Sequence, residues 1–361
     1  MSDKDPLAEV RKRIDEIDAS LQILISERAA CAARVAEIKQ AAGEDQHFYR
    51  PEREAQVLRG VMERNEGPLA DDSIARIFRE IMAACLALEQ PLRVAFLGPD
   101  GTFTHAAAIR HFGGMIETQP VSNIEEVFGL VEADGANFGV VPIENSSEGV
   151  VNHTLDLIMN SSLQISGEVI MRIRHNLISN EQSLGTIERV YAHQQALAQC
   201  RLWLDRHLPQ AQRIATNSNS EAVMLAKERA GSAAIAGSNA AEIYEVPILN
   251  ADIEDEPDNT TRFVVIGKHQ SPPSGDDRTS LMLFAHNRAG SLYHLLKPLA
   301  ERNISMSNIE SRPSRQGVWE YVFFIDVDGH KDDPVVAEAI REIEQESAMI
   351  KLLGSYPRAV L

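Results

Sequence analysis

A heptad pattern of apolar residues near the start of the sequence limits the folds open to this chain more than any other feature. From Leu7 to Ile38 the apolar side chains recur at alternating steps of three and four residues. This spacing predicts one long amphipathic helix with an apolar seam. The seam position at residue 28 holds an arginine, and burying a guanidinium costs several kcal/mol unless an anion meets it. Arg28 therefore extends its head to solvent, forms a salt bridge, or binds an anionic ligand.

The charge balance narrows the range of partners. Lys and Arg number 35 against 53 Asp and Glu, which gives a formal net charge of −18. An acidic surface disfavours nucleic acid and anionic membranes, but local arginines still allow a small anionic substrate. No apolar run approaches the roughly 20 residues that span a bilayer, and the opening residues lack the apolar core of a signal peptide. The sequence predicts neither a nucleic-acid nor a membrane partner.

The cysteines and histidines give no sign of a metal or another cofactor. Cys31, Cys85 and Cys200 share no metal-ligand spacing, and the 11 histidines form no recognisable cluster. An odd number of isolated cysteines is typical of a reduced protein. We therefore expect a cytoplasmic protein without cofactors.

Three domains are predicted from the changes in residue pattern. Residues 1–90 have helical periodicity throughout, whereas residues 92–268 alternate short apolar strands with helices. Polar residues at the strand ends are typical of α/β sheets that bind ligands there. Residues 268–278, rich in Pro, Ser, Gly and Asp, predict a linker. Residues 279–361 follow the strand–helix–strand–strand–helix–strand order of a ferredoxin-like α+β domain.

Basic residues on the first predicted helix are spaced so that two of them converge. Arg28 and Lys39 lie about three turns apart and within roughly 20° of one face, so both side chains can reach one ligand between them. Arg11 is roughly 25 Å from Arg28 and rotated by about 100°, so it suits a ligand held by a second copy of the helix. A helix this long also favours an intertwined dimer. A third helix is predicted to be capped by Asp71 and Asp72.

These residues resemble the active-site series of the all-helical chorismate mutases. The resemblance implies that Arg11 of a partner chain and Arg28 hold the two carboxylates of chorismate, and that Lys39 and Glu89 hydrogen-bond the breaking ether oxygen. Glu54 is implied to bind the substrate hydroxyl. The remaining implied substrate contacts are Arg53 and Cys85.

Two positions depart from that family. Arg50 stands where some members have aspartate, and Glu89 stands where some have glutamine. An ionised carboxylate would repel the ether oxygen, so Glu89 helps only when protonated, which burial would favour. The alternative for the whole domain is a helical dimerisation arm.

Three segments of the middle domain resemble prephenate dehydratase, whose two lobes close like those of type-II periplasmic binding proteins. The segments are Gly98 to His105, Pro142 to Ser146, and Asn259 to Phe263. The resemblance implies that Thr261 donates a proton or hydrogen bond to the leaving hydroxyl. Its implied substrate-binding residues are Thr102, Glu144, Asn145, Ser146, Gln199, Ser218, Arg262 and Phe263.

The last domain resembles the regulatory ACT domain of prephenate dehydratases at two segments. These are a glycine turn before its first helix and a Glu-Ser-Arg-Pro segment after its second strand. The resemblance implies that phenylalanine binds between two such domains and inhibits the enzyme. The implied contacts are Gly290, Ser291, Leu292, Glu310, Ser311, Arg312 and Pro313.

Together these resemblances imply a bifunctional homodimer, with pairing of dimers into tetramers left open, that converts chorismate to prephenate and then to phenylpyruvate and is inhibited by phenylalanine. One alternative is a phenylalanine-responsive binding protein whose catalytic sites have decayed. Another keeps the dehydratase but takes arogenate as its substrate.

Overall fold

One helix of 37 residues dominates the N-terminal part of the chain. The computed structural model describes residues 6–42, 49–285, 288–313 and 321–360. The predicted long helix is confirmed as α1. It is followed by two shorter helices, so that the three are α1 (Pro6–Ala42), α2 (Pro51–Glu63) and α3 (Asp71–Glu89).

The first half of α1 has no packing partner within the described part of the chain. Every residue from Pro6 to Glu27 is exposed, including the seam residue Leu21 at 50%. Burial begins at Arg28, and Ala36 is fully covered. A row of exposed apolar side chains this long marks an association surface. Neither α1 nor any other described helix is long and apolar enough to cross a membrane.

The predicted cap of α3 is wrong by one position. Ala70 is the N-cap residue and makes no side-chain capping bond. Asp71 and Asp72 lie in the first turn instead, where their charges interact favourably with the helix dipole. The helix ends at Gln90 as the sequence predicts.

The middle domain consists of two lobes, each built on its own sheet. The first lobe has the strand order β2-β1-β3-β11-β5 with the short β4 beside β3, and the second has the order β10-β6-β9-β7-β8. The chain leaves the first lobe after β5 and returns to it as β11, which pairs antiparallel with both β3 and β5.

The elements of the first lobe are β1 (Arg93–Leu97), α4 (Phe103–Phe112), β2 (Glu117–Val121), α5 (Ile124–Glu132), β3 (Phe138–Asn145), β4 (Gly149–Val150), α6 (Asn152–Asn160), β5 (Gln164–Arg172) and β11 (Thr260–Gly267). Those of the second lobe are β6 (Asn176–Ile178), β7 (Arg189–His193), α7 (Gln194–Gln199), α8 (Arg201–His207), β8 (Gln212–Thr216), α9 (Asn219–Glu228), β9 (Ser232–Ala236), α10 (Ser238–Tyr244) and β10 (Ile248–Asn250).

The C-terminal domain has the predicted ferredoxin-like arrangement. Its strands follow the order β13-β14-β12-β15, with α11 and α12 packed against each other. The predicted linker at 268–278 is too long at its end, because β12 already begins at Asp277. The elements are β12 (Asp277–Phe284), α11 (Ser291–Glu301), β13 (Met306–Pro313), β14 (Tyr321–Asp328), α12 (Pro334–Glu346) and β15 (Met349–Pro357).

The C-terminal domain shares one hydrophobic core with the first lobe. Phe324 and Tyr356 of its sheet pack in the same cluster as Val141 and Ile165 of the first lobe. Strand β15 approaches β5 so closely that a Cβ at Gly354 would lie 2.1 Å from the carbonyl oxygen of Ile165. Only glycine fits this position, so the two domains are docked rather than loosely tethered.

Candidate active sites and regulatory segment

Lys39 and Glu89 come together where α1 and α3 end. Burial raises the pKa of Glu89, while the positive charge of Lys39 nearby opposes that rise. Arg28 is half-buried on the same helix as Lys39, and Arg11 is exposed on the unpartnered half of α1. The structure therefore brings Lys39 and Glu89 together, whereas Arg28 lies 11 residues before Lys39 on α1 and Arg11 lies on its exposed half.

Neighbouring residues of α2 point in different directions. Arg53 is exposed, but the carboxylate of Glu54 accepts a 3.0 Å hydrogen bond from Nε of Arg79. Arg79 also donates to the carbonyl oxygen of Arg110 in α4. Burial raises the pKa of Glu54, and Arg79 opposes the rise. Arg79 thus joins Glu54 of the helical domain to the dehydratase domain, and the role of Glu54 at the chorismate hydroxyl stays a prediction. Cys85 is buried on α3.

A cleft of about 890 Å³ separates the two lobes. From the first lobe it is lined by the segment 97–104, and from the second by 217–219. Two helices begin there: Thr102 caps α4 by accepting from the backbone N–H of His105, and Ser218 caps α9 by accepting from that of Glu221. Helix N-termini favour anions, so this cleft suits a substrate with carboxylates.

Thr261 lies in a buried polar group formed by β3 and β11. The register sets Thr261 opposite Asn145, whose Nδ2 donates to Oγ1 of Thr261 at 2.7 Å and to Oδ1 of Asn259 at 2.9 Å. Ser146 joins the group through its hydroxyl, which accepts from the backbone N–H of Thr260 at 2.9 Å. Three of the predicted dehydratase residues are thus brought together.

Gln199 is connected to the cleft through two aromatic rings. Its Oε1 lies 2.8 Å from Nε2 of His175, and the His175 ring meets the ring of Phe103 edge-on at 5.5 Å. Phe103 itself lines the cleft. Burial lowers the pKa of His175, and its hydrogen bond with Gln199 opposes that change. The His175 ring thus hydrogen-bonds Gln199 of the second lobe and packs against Phe103 of the first.

Three predicted dehydratase residues face away from the cleft. Glu144 lines a small cavity beside Glu310 at the boundary with the C-terminal domain. Arg262 forms buried ion pairs with Glu168 at 2.8 Å and Asp326 at 2.5 Å. The side chain of Phe263 lies in the hydrophobic core of the first lobe. Substrate contacts at these three side chains stay predictions, since none of the three lines the cleft.

The predicted regulatory residues occupy a turn and an edge strand. Gly290 has a φ of 80°, which favours glycine, and it precedes α11. Ser291 donates to the carbonyl oxygen of Arg288 at 2.9 Å, and Leu292 is partly exposed. Strand β13 is the edge of its sheet within the described residues, with Ser311 and Pro313 exposed and Glu310 half-buried.

Arg312 contacts the dehydratase domain rather than an open pocket. Its Nη1 lies 2.7 Å from Oδ1 of Asp156 and donates to the carbonyl oxygen of Asn152 at 3.0 Å. Both residues belong to α6. Lys351 of β15 donates to carbonyl oxygens at the other end of α6, including that of Ser161 at 2.6 Å. The C-terminal domain therefore holds both ends of α6.

The sequence prediction missed three buried polar residues of the dehydratase site. His175 gives no local signal, because only the tertiary fold brings it to Phe103. His105 and Asn259 lie inside segments that were recognised, but their partners were not foreseen. Nδ1 of His105 accepts from the backbone N–H of Gly101 at 3.0 Å, and its ring stacks on Phe96.

Three family models match consecutive parts of the chain. They are Chorismate mutase type II over residues 10–90, Prephenate dehydratase over 94–271 and ACT domain over 279–345. A bifunctional chorismate mutase/prephenate dehydratase of Pseudomonas aeruginosa is 51% identical, with 100% of both chains covered. One from Escherichia coli is 31% identical, covering 99% of this chain and 97% of its own. The crystal structure of an Arthrobacter aurescens prephenate dehydratase in complex with L-Phe has a TM-score of 0.68 and 35% identity over 74% of this chain and 90% of its own.

The fold, the sites and these matches define a multidomain enzyme in which a helical mutase precedes a two-lobed dehydratase and an ACT domain. The chain belongs to the family of bifunctional chorismate mutase/prephenate dehydratases.

Proposed function

We propose that this chain rearranges chorismate to prephenate in its helical domain and converts prephenate to phenylpyruvate between its two lobes. The observation that carries the proposal is the order of the three matched families along one chain that aligns over its full length with bifunctional relatives. The juxtaposition of Lys39 with a carboxyl group of raised pKa at Glu89 supports the first activity. The hydroxyl of Thr261 in a buried polar group supports the second.

The mutase site orients a dianion and stabilises charge on an ether oxygen. Arg28 and Arg11 of a partner subunit bind the two carboxylates, and Lys39 donates to the ether oxygen as its C–O bond breaks. Protonated Glu89 donates to the same oxygen. The reaction needs no covalent intermediate, so the protein contributes a compact substrate conformation and these donors. Arg53 and Cys85 complete the predicted contacts.

A homodimer completes this site. The apolar seam on the first half of α1 is exposed in a single chain, and Arg11 lies on that same half. Pairing of two α1 helices would cover the seam and carry Arg11 to the partner's Arg28. The free thiols of Cys31, Cys85 and Cys200 fit the reducing cytoplasm.

The dehydratase reaction breaks two bonds of prephenate. The electron pair of the bond to the ring carboxylate moves into the ring as CO₂ leaves, and the ring hydroxyl leaves as water after receiving a proton. Thr261 donates to the departing hydroxyl, and the helix N-termini at Thr102 and Ser218 hold the carboxylates. Ser146 and Gln199 position the substrate around them, and Asn145 acts through its hydrogen bond to Thr261.

Phenylalanine binds the ACT domain and inhibits the dehydratase. The contacts of Arg312 and Lys351 with α6 give a route from the ACT sheet to the loop that carries Asn145 and Ser146. Phenylalanine bound near Gly290 of one subunit and Glu310 of another would shift this sheet against α6.

A coupled assay on the purified full chain tests both activities together. Chorismate loss and phenylpyruvate formation are followed separately, with and without phenylalanine, and arogenate is supplied as a competing substrate. We expect phenylpyruvate from chorismate, suppression by phenylalanine and no turnover of arogenate. Turnover of prephenate without turnover of chorismate would make the helical domain a dimerisation arm. Binding of phenylalanine without either reaction would support the decayed-enzyme alternative.

A further inference from the structure

The amide group of Asn145 has only one orientation compatible with its neighbours. Its Oδ1 accepts from the backbone N–H groups of Ser147 at 3.0 Å and Glu148 at 3.1 Å. Backbone N–H groups only donate, so the atom facing them is the oxygen. The NH₂ group must then point the other way, toward Asn259 at 2.9 Å and Thr261 at 2.7 Å.

This orientation of the Asn145 amide determines whether the hydroxyl of Thr261 accepts or donates in their hydrogen bond. Its oxygen accepts from Asn145, so its own proton is directed elsewhere. Among the described residues none accepts a hydrogen bond from that O–H group. The proton therefore remains available to a substrate. With the Asn145 amide reversed, Thr261 would donate to the amide oxygen and lose its proton to the protein.

Asn259 supplies the acceptor on the far side of the Asn145 amide. Its side chain is buried, with 3% of the residue exposed. Its own backbone is fixed at both groups, because its carbonyl oxygen accepts from Ile173 at 2.8 Å and its N–H donates to Glu256 at 3.3 Å. The side-chain oxygen of Asn259 accepts a hydrogen bond only when the NH₂ group of Asn145 faces it. In that orientation the same NH₂ group also faces Thr261.

We propose that Asn259 is a positioning residue that, together with the backbone N–H groups of Ser147 and Glu148, holds the amide of Asn145 so that Thr261 acts as a hydrogen-bond donor. The inference rests on the proposed role of Thr261 in the dehydratase reaction. Asn259 acts as an acceptor only, so a carboxylate of the same shape can replace it, whereas a methyl group cannot. It touches neither substrate nor the reacting atoms.

The test compares Asn259→Ala and Asn259→Asp in the full chain with prephenate as substrate. We expect Asn259→Ala to lower kcat by about 10- to 100-fold with little change in KM, since part of the donor contribution is lost. Asn259→Asp should keep kcat within about threefold and raise KM, because it retains the acceptor but adds a negative charge near a dianionic substrate. Equal losses of kcat in both variants would overturn the proposal, as would an unchanged kcat in Asn259→Ala.

Two controls separate this result from damage to the fold. Asn176→Ala removes a similarly buried asparagine of the same domain, whose Nδ2 donates to the carbonyl oxygen of Ala236. It should lower Tm as much as Asn259→Ala does but keep kcat. Mutase activity of the same chains reports that each variant is folded. Thr261→Val tests the underlying function: if it retains dehydratase activity, Thr261 is not the donor, whatever Asn259 does.

Discussion

Arg262 and Asp326 form a 2.5 Å ion pair that crosses from the strand of Thr261 to the sheet of the ACT domain. Arg262 directly follows Thr261 in β11, and Asp326 lies in the middle of β14. Nη2 of Arg262 also donates to the hydroxyl of Tyr356 at 2.9 Å. Burial lowers the pKa of Arg262, but Tyr356, Asp326 and Glu168 more than offset this effect. The pKa is therefore raised above its usual value, and the guanidinium stays charged. Strand β11, which carries Thr261, and the sheet of the ACT domain are therefore held in one charged network.

Loss of one member of this network should weaken both stability and regulation. Asp326→Asn leaves Arg262 with one fewer charged partner in a buried site, where breaking an ion pair costs about 3 to 5 kcal/mol. We expect a lower Tm and weaker inhibition of the dehydratase by phenylalanine. Glu346→Gln removes the exposed partner of Arg288 and should change neither quantity. Unaltered inhibition in Asp326→Asn would mean that the regulatory signal takes another route.

The mutase should lose activity as pH rises through the pKa of Glu89. Burial raises that pKa, and Lys39 opposes the rise. The neutral acid donates to the ether oxygen and predominates below its pKa, whereas the ionised form above it repels that oxygen. The pH dependence of kcat should therefore fall on the alkaline side. Glu89→Gln should remove this fall, because an amide donates at every pH. A flat wild-type profile between about pH 5 and 9 would contradict the assignment.

We expect the contact between Arg312 and Asp156 to transmit inhibition by phenylalanine, and we do not expect Arg312 to bind phenylalanine itself. We expect Asp156→Asn to preserve the dehydratase kcat without phenylalanine, since α6 remains held at its other end by Lys351. Higher phenylalanine concentrations should be needed for inhibition, while calorimetry should still detect phenylalanine binding. If binding is lost together with inhibition, Arg312 belongs to the ligand site, as the sequence suggested.

The pattern of apolar residues predicted the order of elements better than the directions of side chains. The apolar periodicity of residues 334–346 and the proline at their start are local signals, and they predict helix α12 with the bounds it has, Pro334–Glu346. Glu144 and Asn145 are adjacent in β3 but face opposite sides of the sheet. A strand covered on both faces has no polar alternation from which to choose the cleft side. For the same reason the sequence does not show that the side chain of Arg262 faces the docked ACT domain.

Gly354 should tolerate no side chain. A Cβ at this position would lie 2.1 Å from the carbonyl oxygen of Ile165, so β15 and β5 would have to separate. We expect Gly354→Ala to lower the free energy of unfolding by about 1 to 3 kcal/mol, as overpacked sites do. Gly129→Ala in α5 meets nothing within 4 Å and should be neutral or slightly stabilising. Chemical denaturation of both variants checks this contrast, and equal effects would contradict the close docking of the two strands.

Chains with complementary defects should restore mutase activity when mixed. Arg28 and Lys39 lie on one helix, whereas Arg11 sits on the half of α1 that no described residue covers. In a two-fold symmetric dimer, a mixture of Arg11→Ala and Arg28→Ala chains contains heterodimers with one intact site each. After joint refolding we expect about one quarter of wild-type mutase activity, since about half the dimers are mixed and half their sites intact. Arg28→Ala mixed with Lys39→Ala is the matched control and should not recover, because both groups come from the same chain. No recovery in the first mixture would place Arg11 in its own chain's site, and recovery in the control would mean that Arg28 and Lys39 of one site come from different chains.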